Sequence, residues 1–154
     1  MLDIEIRQYK DSDKEQVKRL HRIALESTNA FAESGKWDMD LDNIPDVYFK
    51  KGDFLVGLVD TKIVLMGALK PISEEMVEMK RVRVHPGFQR QGLGQMMLEL
   101  LEKRAKELGY KVILLDTTIN QSAAQKMYEK NGYTEIRREI EGWPLETIFY
   151  QKEL

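Results

Sequence analysis

Gln89-Arg90-Gln91-Gly92-Leu93-Gly94 is the stretch whose reading decides the fold. Upstream of it an apolar run ends Val82-Arg83-Val84 and meets His85-Pro86. Directly downstream, Gln95-Met96-Met97-Leu98-Glu99-Leu100-Leu101 has the apolar spacing of a helix. The order is therefore strand, glycine-bearing loop, helix. A helix start offers unpaired backbone N–H groups and the positive end of a dipole. Glycines let that backbone turn sharply and approach a ligand closely. The stretch is an anion site in physical terms, suited to a phosphate or pyrophosphate.

Outward from the loop, the pattern alternates between strands and helices. Val77 and Met79 are apolar at odd positions, whereas Val82 and Val84 are apolar at even ones. A strand of period two cannot keep one apolar face through that change. One extra residue near Lys80-Arg81 repairs the pattern and predicts a β-bulge; the alternative is an edge strand interrupted by charges. Before it, Phe54–Val59 and Ile63–Leu69 read as a hairpin turning at Asp60-Thr61-Lys62. The chain opens with a half-buried strand through Ile4 and Ile6. Asp11-Ser12-Asp13 follows, where Ser12 and Glu15 can form a capping box. The next helix has Val17, Leu20, Ile23 and Ala24 on its apolar face, which leaves His21 on its surface. Residues 29–43 are irregular. A short helix entered by Pro45 carries Val47, Tyr48 and Phe49 and ends near Lys51-Gly52.

After the loop, the helix runs to Gly109, and Val112–Leu115 is a continuous apolar run typical of a buried strand. A crossover makes it parallel to the strand ending at Val84. Asn120 or Ser122 can cap another helix, which stops at Asn131-Gly132. Tyr133–Arg138 and Thr147–Gln151 read as a final antiparallel pair around Gly142-Trp143-Pro144. The sum is a mixed α/β domain: meander first, one βαβ crossover, hairpin last.

Composition narrows the classes. The 154 residues suit a single domain, 1–154, with one core. A net charge of −2 argues against a nucleic-acid partner. The absence of cysteine removes disulfides, thiolate metal sites and cysteine nucleophiles. With no signal-like start and no apolar run long enough to span a bilayer, the expectation is a cytoplasmic protein without a membrane partner.

Three phosphate loops compete. A Walker-type loop fails, because Gln95-Met96 stand where lysine and serine or threonine are needed. A dinucleotide fingerprint has Asp116 about twenty residues on, as a ribose-binding acid would be. Against it, Met97 replaces the third glycine, seven residues separate Val84 from Gly92, and the preceding elements form a meander.

The third reading rests on two motifs. Val82-Arg83-Val84-His85-Pro86 followed by Gln89-Arg90-Gln91-Gly92-Leu93-Gly94 resembles the CoA-pyrophosphate motif of the GNAT superfamily of acyl-CoA-dependent N-acyltransferases. Ala123-Ala124-Gln125-Lys126-Met127-Tyr128-Glu129-Lys130-Asn131-Gly132-Tyr133 resembles that family's second motif. The resemblance implies a mostly antiparallel sheet of six to seven strands, helices on both faces and a central βαβ crossover. It implies acetyl-CoA as cosubstrate, an amine acceptor and no metal, in a monomer or homodimer. By the match, Val82, Arg83 and Val84 pair with the pantetheine arm. Backbone N–H groups from Arg90 through Gln91, Gly92, Leu93 and Gly94 to Gln95 hold the pyrophosphate, with Gln89 at the edge of the loop. Tyr128 fits the general acid for the departing thiolate, and on its residues alone is a core tyrosine. Glu78 fits the general base, and equally an ordinary charge cluster with Glu74, Glu75, Lys80, Arg81 and Arg83. Where the family often has Asn, this chain has Gln121 beside Asn120, and either can make the CoA contact. His85 reads as a loop residue. Acceptor specificity is expected in residues 25–50 and around Gly142-Trp143-Pro144, with Trp37, Trp143, Glu74 and Asp38 as candidates. The implied function is transfer of an acetyl group from acetyl-CoA to a primary amine of a small molecule or peptide by direct attack in a ternary complex. The alternative is a non-catalytic CoA-binding regulatory module, and the third a dinucleotide-binding domain.

Overall fold

The structure, a computed structural model, describes residues 3–27, 39–140 and 146–154. Seven strands form one sheet: β1 (Glu5–Gln8), β2 (Asp53–Val59), β3 (Lys62–Pro71), β4 (Met76–Val84), β5 (Val112–Thr118), β6 (Thr134–Glu139) and β7 (Thr147–Glu153), in the order β1-β2-β3-β4-β5-β7-β6. Only β4 and β5 pair in parallel; every other neighbour is antiparallel. The helices are α1 (Lys14–Glu26), α2 (Ile44–Tyr48), α3 (Leu93–Glu107) and α4 (Ser122–Lys130). Meander, βαβ crossover and closing hairpin stand as the apolar spacing requires.

The sheet separates two apolar layers, so helices cover both of its faces. On one side, Met97, Leu98 and Leu101 of α3 and Tyr128 of α4 pack with Leu65, Leu69, Val77, Met79, Ile113, Leu115, Ile148 and Tyr150. On the other, Val17 and Leu20 of α1 and Ile44 and Tyr48 of α2 meet Phe54, Val56, Met66 and Ala68. At Gly67 the packing of α3 is close: a Cβ there would lie 2.6 Å from Met97 Cγ. That contact fixes the height of α3 above the sheet, and with it the position of the helix start.

The β-bulge falls where the change of parity places it. Met66 pairs with Arg83 and Ala68 with Lys80, so Arg81 and Val82 together oppose Gly67. Arg81 has φ +60°, a left-handed conformation uncommon for a side-chain-bearing residue. Its guanidinium reaches Asp40, with Nε donating to the carboxylate at 3.0 Å, and the Tyr48 hydroxyl donates to the same carboxylate. Burial alone would raise the Asp40 carboxyl; hydrogen bonds and charge from Arg81, with help from Tyr48, outweigh it and hold the group low.

Four local expectations are corrected. Ser12 and Glu15 form no capping box: Asp11–Asp13 is a 3-10 turn, and α1 begins at Lys14. Asp13 instead accepts from the Lys10 N–H at 2.9 Å and pairs with Arg7 at 2.8 Å. Neither Asn120 nor Ser122 caps α4, whose first residue is Ser122 and whose cap position is Gln121. His21 is not on the helix surface but 3 % exposed. Arg83, turned toward α1 by the bulge, gives it a polar partner, Nε to Nδ1 at 3.4 Å. At the end of α2, Lys51 rather than Gly52 takes the left-handed turn.

Candidate active site

Parallel pairing of β4 with β5 lasts for three residue pairs and ends at Glu78 opposite Leu114. By contrast β5 and β7 stay paired along seven residues each. Beyond Glu78 the second half of β4 has no β5 partner, and a cavity of about 520 Å³ opens alongside it. Its wall is built from the end of β4, the loop before α3, the start of α3 and the first turns of α4.

The loop brings its amides together by backbone geometry. Arg90 has φ +65° and Gly92 φ +79°, two left-handed residues flanking Gln91. Gly92 is the cap position of α3 and supplies no side-chain cap, so the first amides of the helix keep their donors. No acidic residue lies in the first turn to neutralise the dipole, while Arg104 and Lys106 lie in the last. The Gln95 side chain is already committed to a reciprocal amide pair with Asn131, both bonds 2.8 Å. What Gln95 offers a ligand is its main chain, and the amide pair ties the start of α3 to the end of α4. His85 is similarly engaged: Nδ1 accepts from the Gly87 N–H at 3.0 Å.

Tyr128 also lines the cavity. It is 7 % exposed and packed against Tyr133 and Tyr150, with ring centroids 5.8 and 6.0 Å away. Among the described residues its hydroxyl has no hydrogen-bond partner. Burial pushes its pKa to about 12 against the opposing charge of Arg83, with Asp116 adding to the rise. A buried donor without an acceptor is costly unless something else receives it.

The sequence-nominated residues fall as follows. Val82, Arg83, Val84, Gln89, Arg90, Gly92, Leu93, Gly94, Gln95, Asn120, Gln121 and Tyr128 all line the cavity. Gln91 is exposed and outside the wall. Glu78 is not in the wall either; it sits at the point where the strands part, half-buried, its carboxyl raised by burial and by Asp116 against Lys80, Lys70 and Arg81. Asp116 keeps solvent-accessible area, yet desolvation by the surrounding protein also raises it. Sequence reasoning missed Ala24, Phe88, Ser122, Ala123, Ala124 and Met127 as wall residues. Phe88 and Met127 adjoin nominated positions, but nothing in the α1 pattern marks Ala24. Glu74 is exposed, whereas Trp37, Asp38, Gly142, Trp143 and Pro144 lie outside the described residues. Among the described residues no three His, Asp or Glu side chains converge as metal ligands would, and no helix is long and apolar enough to cross a membrane.

Comparison with known proteins bears on this arrangement. The model of the Acetyltransferase (GNAT) family matches residues 16–133, from α1 through the glycine loop to the tyrosine helix. A curated protein of Xenopus tropicalis, "Probable N-acetyltransferase 14", is 34% identical over 67 residues, 43% of this chain; that match spans 32% of the relative's length, about a third. The crystal structure of a GNAT-family acetyltransferase from Staphylococcus aureus Mu50 superposes with a TM-score of 0.86 at 24% identity, over 99% of both chains. A PaiA N-acetyltransferase from Thermoplasma acidophilum, determined in complex with coenzyme A, superposes at 0.79 with 20% identity, over 99% of this chain and 100% of that one. With a family model running through both motifs and over most of its length, this chain belongs to the GNAT acetyltransferase family.

Proposed function

We propose that the protein is an N-acetyltransferase that moves the acetyl group of acetyl-CoA to a primary amine by direct attack while both substrates are bound. The observation that carries the reading is one cavity lined both by the start of α3, whose first amides have no side-chain cap, and by Tyr128, whose hydroxyl has no hydrogen-bond partner among the described residues. The donor set suits the cosubstrate. Amides of Arg90 to Gln95, with the charge of Arg90, face a pyrophosphate. Val82 to Val84, freed from β5, offer main-chain groups to pantetheine amides as a neighbouring strand would.

Acetyl-CoA supplies an acyl group activated as a thioester. The chain's residues handle the protons. An acceptor amine of pKa about 10 is mostly ammonium at neutral pH and attacks only after losing a proton. Glu78, with a raised carboxyl at the opening between the strands, takes that proton. The C–N bond forms as the C–S bond breaks, and the electron pair leaves on sulfur. Backbone N–H near Val84 meets the charge on the carbonyl oxygen. Tyr128 faces the departing sulfur as acid. With its proton held to about pH 12, it donates a hydrogen bond as charge develops there, and the proton follows as CoA leaves. Starting from the ammonium, two protons leave nitrogen: the one Glu78 takes goes on to solvent, and the one shed as the C–N bond forms balances the proton that Tyr128 gives to sulfur.

The test is thiol release from acetyl-CoA across amines, amino acids, peptides and polyamines, with thermal shift by acetyl-CoA and by NAD run alongside. Turnover of an amine, with stabilisation by acetyl-CoA and not by NAD, is the expected result. Acetyl-CoA stabilisation with silence toward every amine would replace the enzyme with a non-catalytic CoA-binding module. Stabilisation by NAD alone would replace both.

A further inference from the structure

Where β4 and β5 part, the sheet face turned away from α3 carries charges that the reaction above uses only in part. Register assigns them. Val77, Met79, Ile113 and Leu115 belong to the α3-side core. Glu78, Lys80 and Asp116 alternate with these and therefore occupy the opposite face. Glu78 pairs with Leu114, so Lys80 and Asp116 are the next residues on that face of their strands. Same-face neighbours along a strand are about 6.6 Å apart, so the three side chains surround the opening within the span of one small molecule.

Both signs of charge are present there, and of the three only Glu78 has a part in the reaction above. Asp116 and Glu78 disfavour each other's ionisation, and Lys80 favours both. Yet among the described residues none of the three makes a hydrogen bond or ion pair. Asp116 also acts through its charge on the buried Tyr128 hydroxyl, which lines the cavity and has no hydrogen-bond partner among the described residues. Half-desolvated charges with spare hydrogen-bonding capacity cost free energy that a complementary ligand removes.

Resting on the acetyltransferase reading, we propose that Asp116 is a second acceptor-side carboxylate. With Lys80 across the opening, it selects a small zwitterion that carries its anion beside its amine, an α-amino acid, over a polyamine. The ammonium lies toward Glu78 and Asp116, and the acceptor's carboxylate toward Lys80. A polyamine would bring further positive charge against Lys80 and toward Arg83 and Arg137, which also act on Asp116.

The experiment measures kcat and KM for thiol release with free L-amino acids, the matching amino-acid amides and linear polyamines. The amide loses only the anion and has the more readily deprotonated amine, so a weaker amide cannot be blamed on its nucleophile. At least one free amino acid is expected to exceed its amide about tenfold in kcat/KM, the loss of one charged hydrogen bond. Asp116→Asn raises KM for that amino acid by about the same factor, and Lys80→Gln narrows the preference for acid over amide. Thermal shift by acetyl-CoA verifies that each variant folds, and Asp116→Glu, which keeps the charge, restores part of the affinity should Asp116→Asn fail to fold. Faster turnover of polyamines or amides than of every free amino acid, or a preference unmoved by Lys80→Gln, overturns the proposal and leaves the acetyltransferase reading standing. Silence toward all amines overturns both.

Discussion

Alanine at Gly92 and alanine at Gly94 are expected to move stability in opposite directions, although a single residue separates them and both line the cavity. At Gly92 a Cβ would meet nothing within 4 Å, so no clash opposes it. The cost comes from the backbone: φ is +79°, and an L-residue held there loses about 1–2 kcal/mol. At Gly94 the new Cβ would lie 3.5 Å from Met127 Sδ and 3.8 Å from Val84 Cγ2, ordinary contacts, in a residue of helical conformation. There alanine removes unfolded-state freedom and stabilises by about 0.4–1 kcal/mol. For a chain of this size each kcal/mol is roughly 2–4 °C in Tm. Thermal unfolding should therefore place Gly92→Ala several degrees below the parent and Gly94→Ala a degree or more above it. Gly92→Asn should fall in between, since asparagine tolerates the left-handed region. Acetyl-CoA added to each variant then reports on the amides. Gly92→Ala should lose part of the ligand-induced shift, because relaxing φ swings the Leu93 N–H out of line. A Gly92→Ala protein as stable as the parent, or a Gly94→Ala protein damaged as much as Gly92→Ala, would refute the geometry claimed for the loop.

Tyr128→Phe keeps the ring packing and deletes a hydroxyl with no partner, so Tm should hold or rise while kcat falls about 100-fold with acetyl-CoA affinity little changed; unchanged kcat would remove Tyr128 from the chemistry. Glu78 has a folded pKa raised above its ordinary 4.5, mainly by burial. Its contribution to stability is therefore present below 4.5 and lost as pH rises through the folded value. Glu78→Gln should accordingly stabilise the protein at neutral pH while lowering kcat and flattening the acid limb of the rate profile, and a Tm drop at neutral pH would contradict this. All six tyrosines are raised above their ordinary 10.0, Tyr128 and Tyr150 to about 12, in each case chiefly by burial. Stability tied to them is complete below pH 10 and lost as pH climbs through 12, so phenolate absorbance should stay low past pH 10 and then rise together with unfolding. Arg81→Ala strands the carboxylate of Asp40, in a pair whose side chains are 9% and 13% exposed, and should cost about 3–5 kcal/mol in denaturant melts; removing Asp40 as well should recover part of the loss.

Much of this molecule was legible in the chain because the informative signals were local. The parity change between Met79 and Val82 sufficed to place the bulge, and the glycine loop and tyrosine helix each fit within a dozen residues. What escaped depends on contacts between distant segments. His21 reads as a surface position until Arg83, 62 residues away, supplies a buried polar partner. Asp13 has the composition of a helix cap, but Arg7 and the Lys10 amide outbid α1 for its carboxylate. The Gln95–Asn131 amide pair joins residues 36 apart. The proximity of Asp116 to Glu78 follows only from the register of two strands separated by an entire helix. The acceptor-side candidates on residues 28–38 and 141–145 lie outside the described structure.

The bulge at Arg81 also makes β4 a strand counted in residues. Because two residues oppose Gly67, Glu78 and Lys80 face one side of the sheet while Val82 and Val84 face the other, so one strand furnishes two chambers with different chemistry. Deleting a single residue there would restore a regular strand and reverse every side chain on one side of the deletion, turning Arg83 toward the apolar layer beneath α3 or Glu78 and Lys80 into it. Almost any substitution at position 81 is milder than that. Variation in this segment is therefore expected to run through exchanges of side chain at constant length, with insertions and deletions confined to the turns on either side.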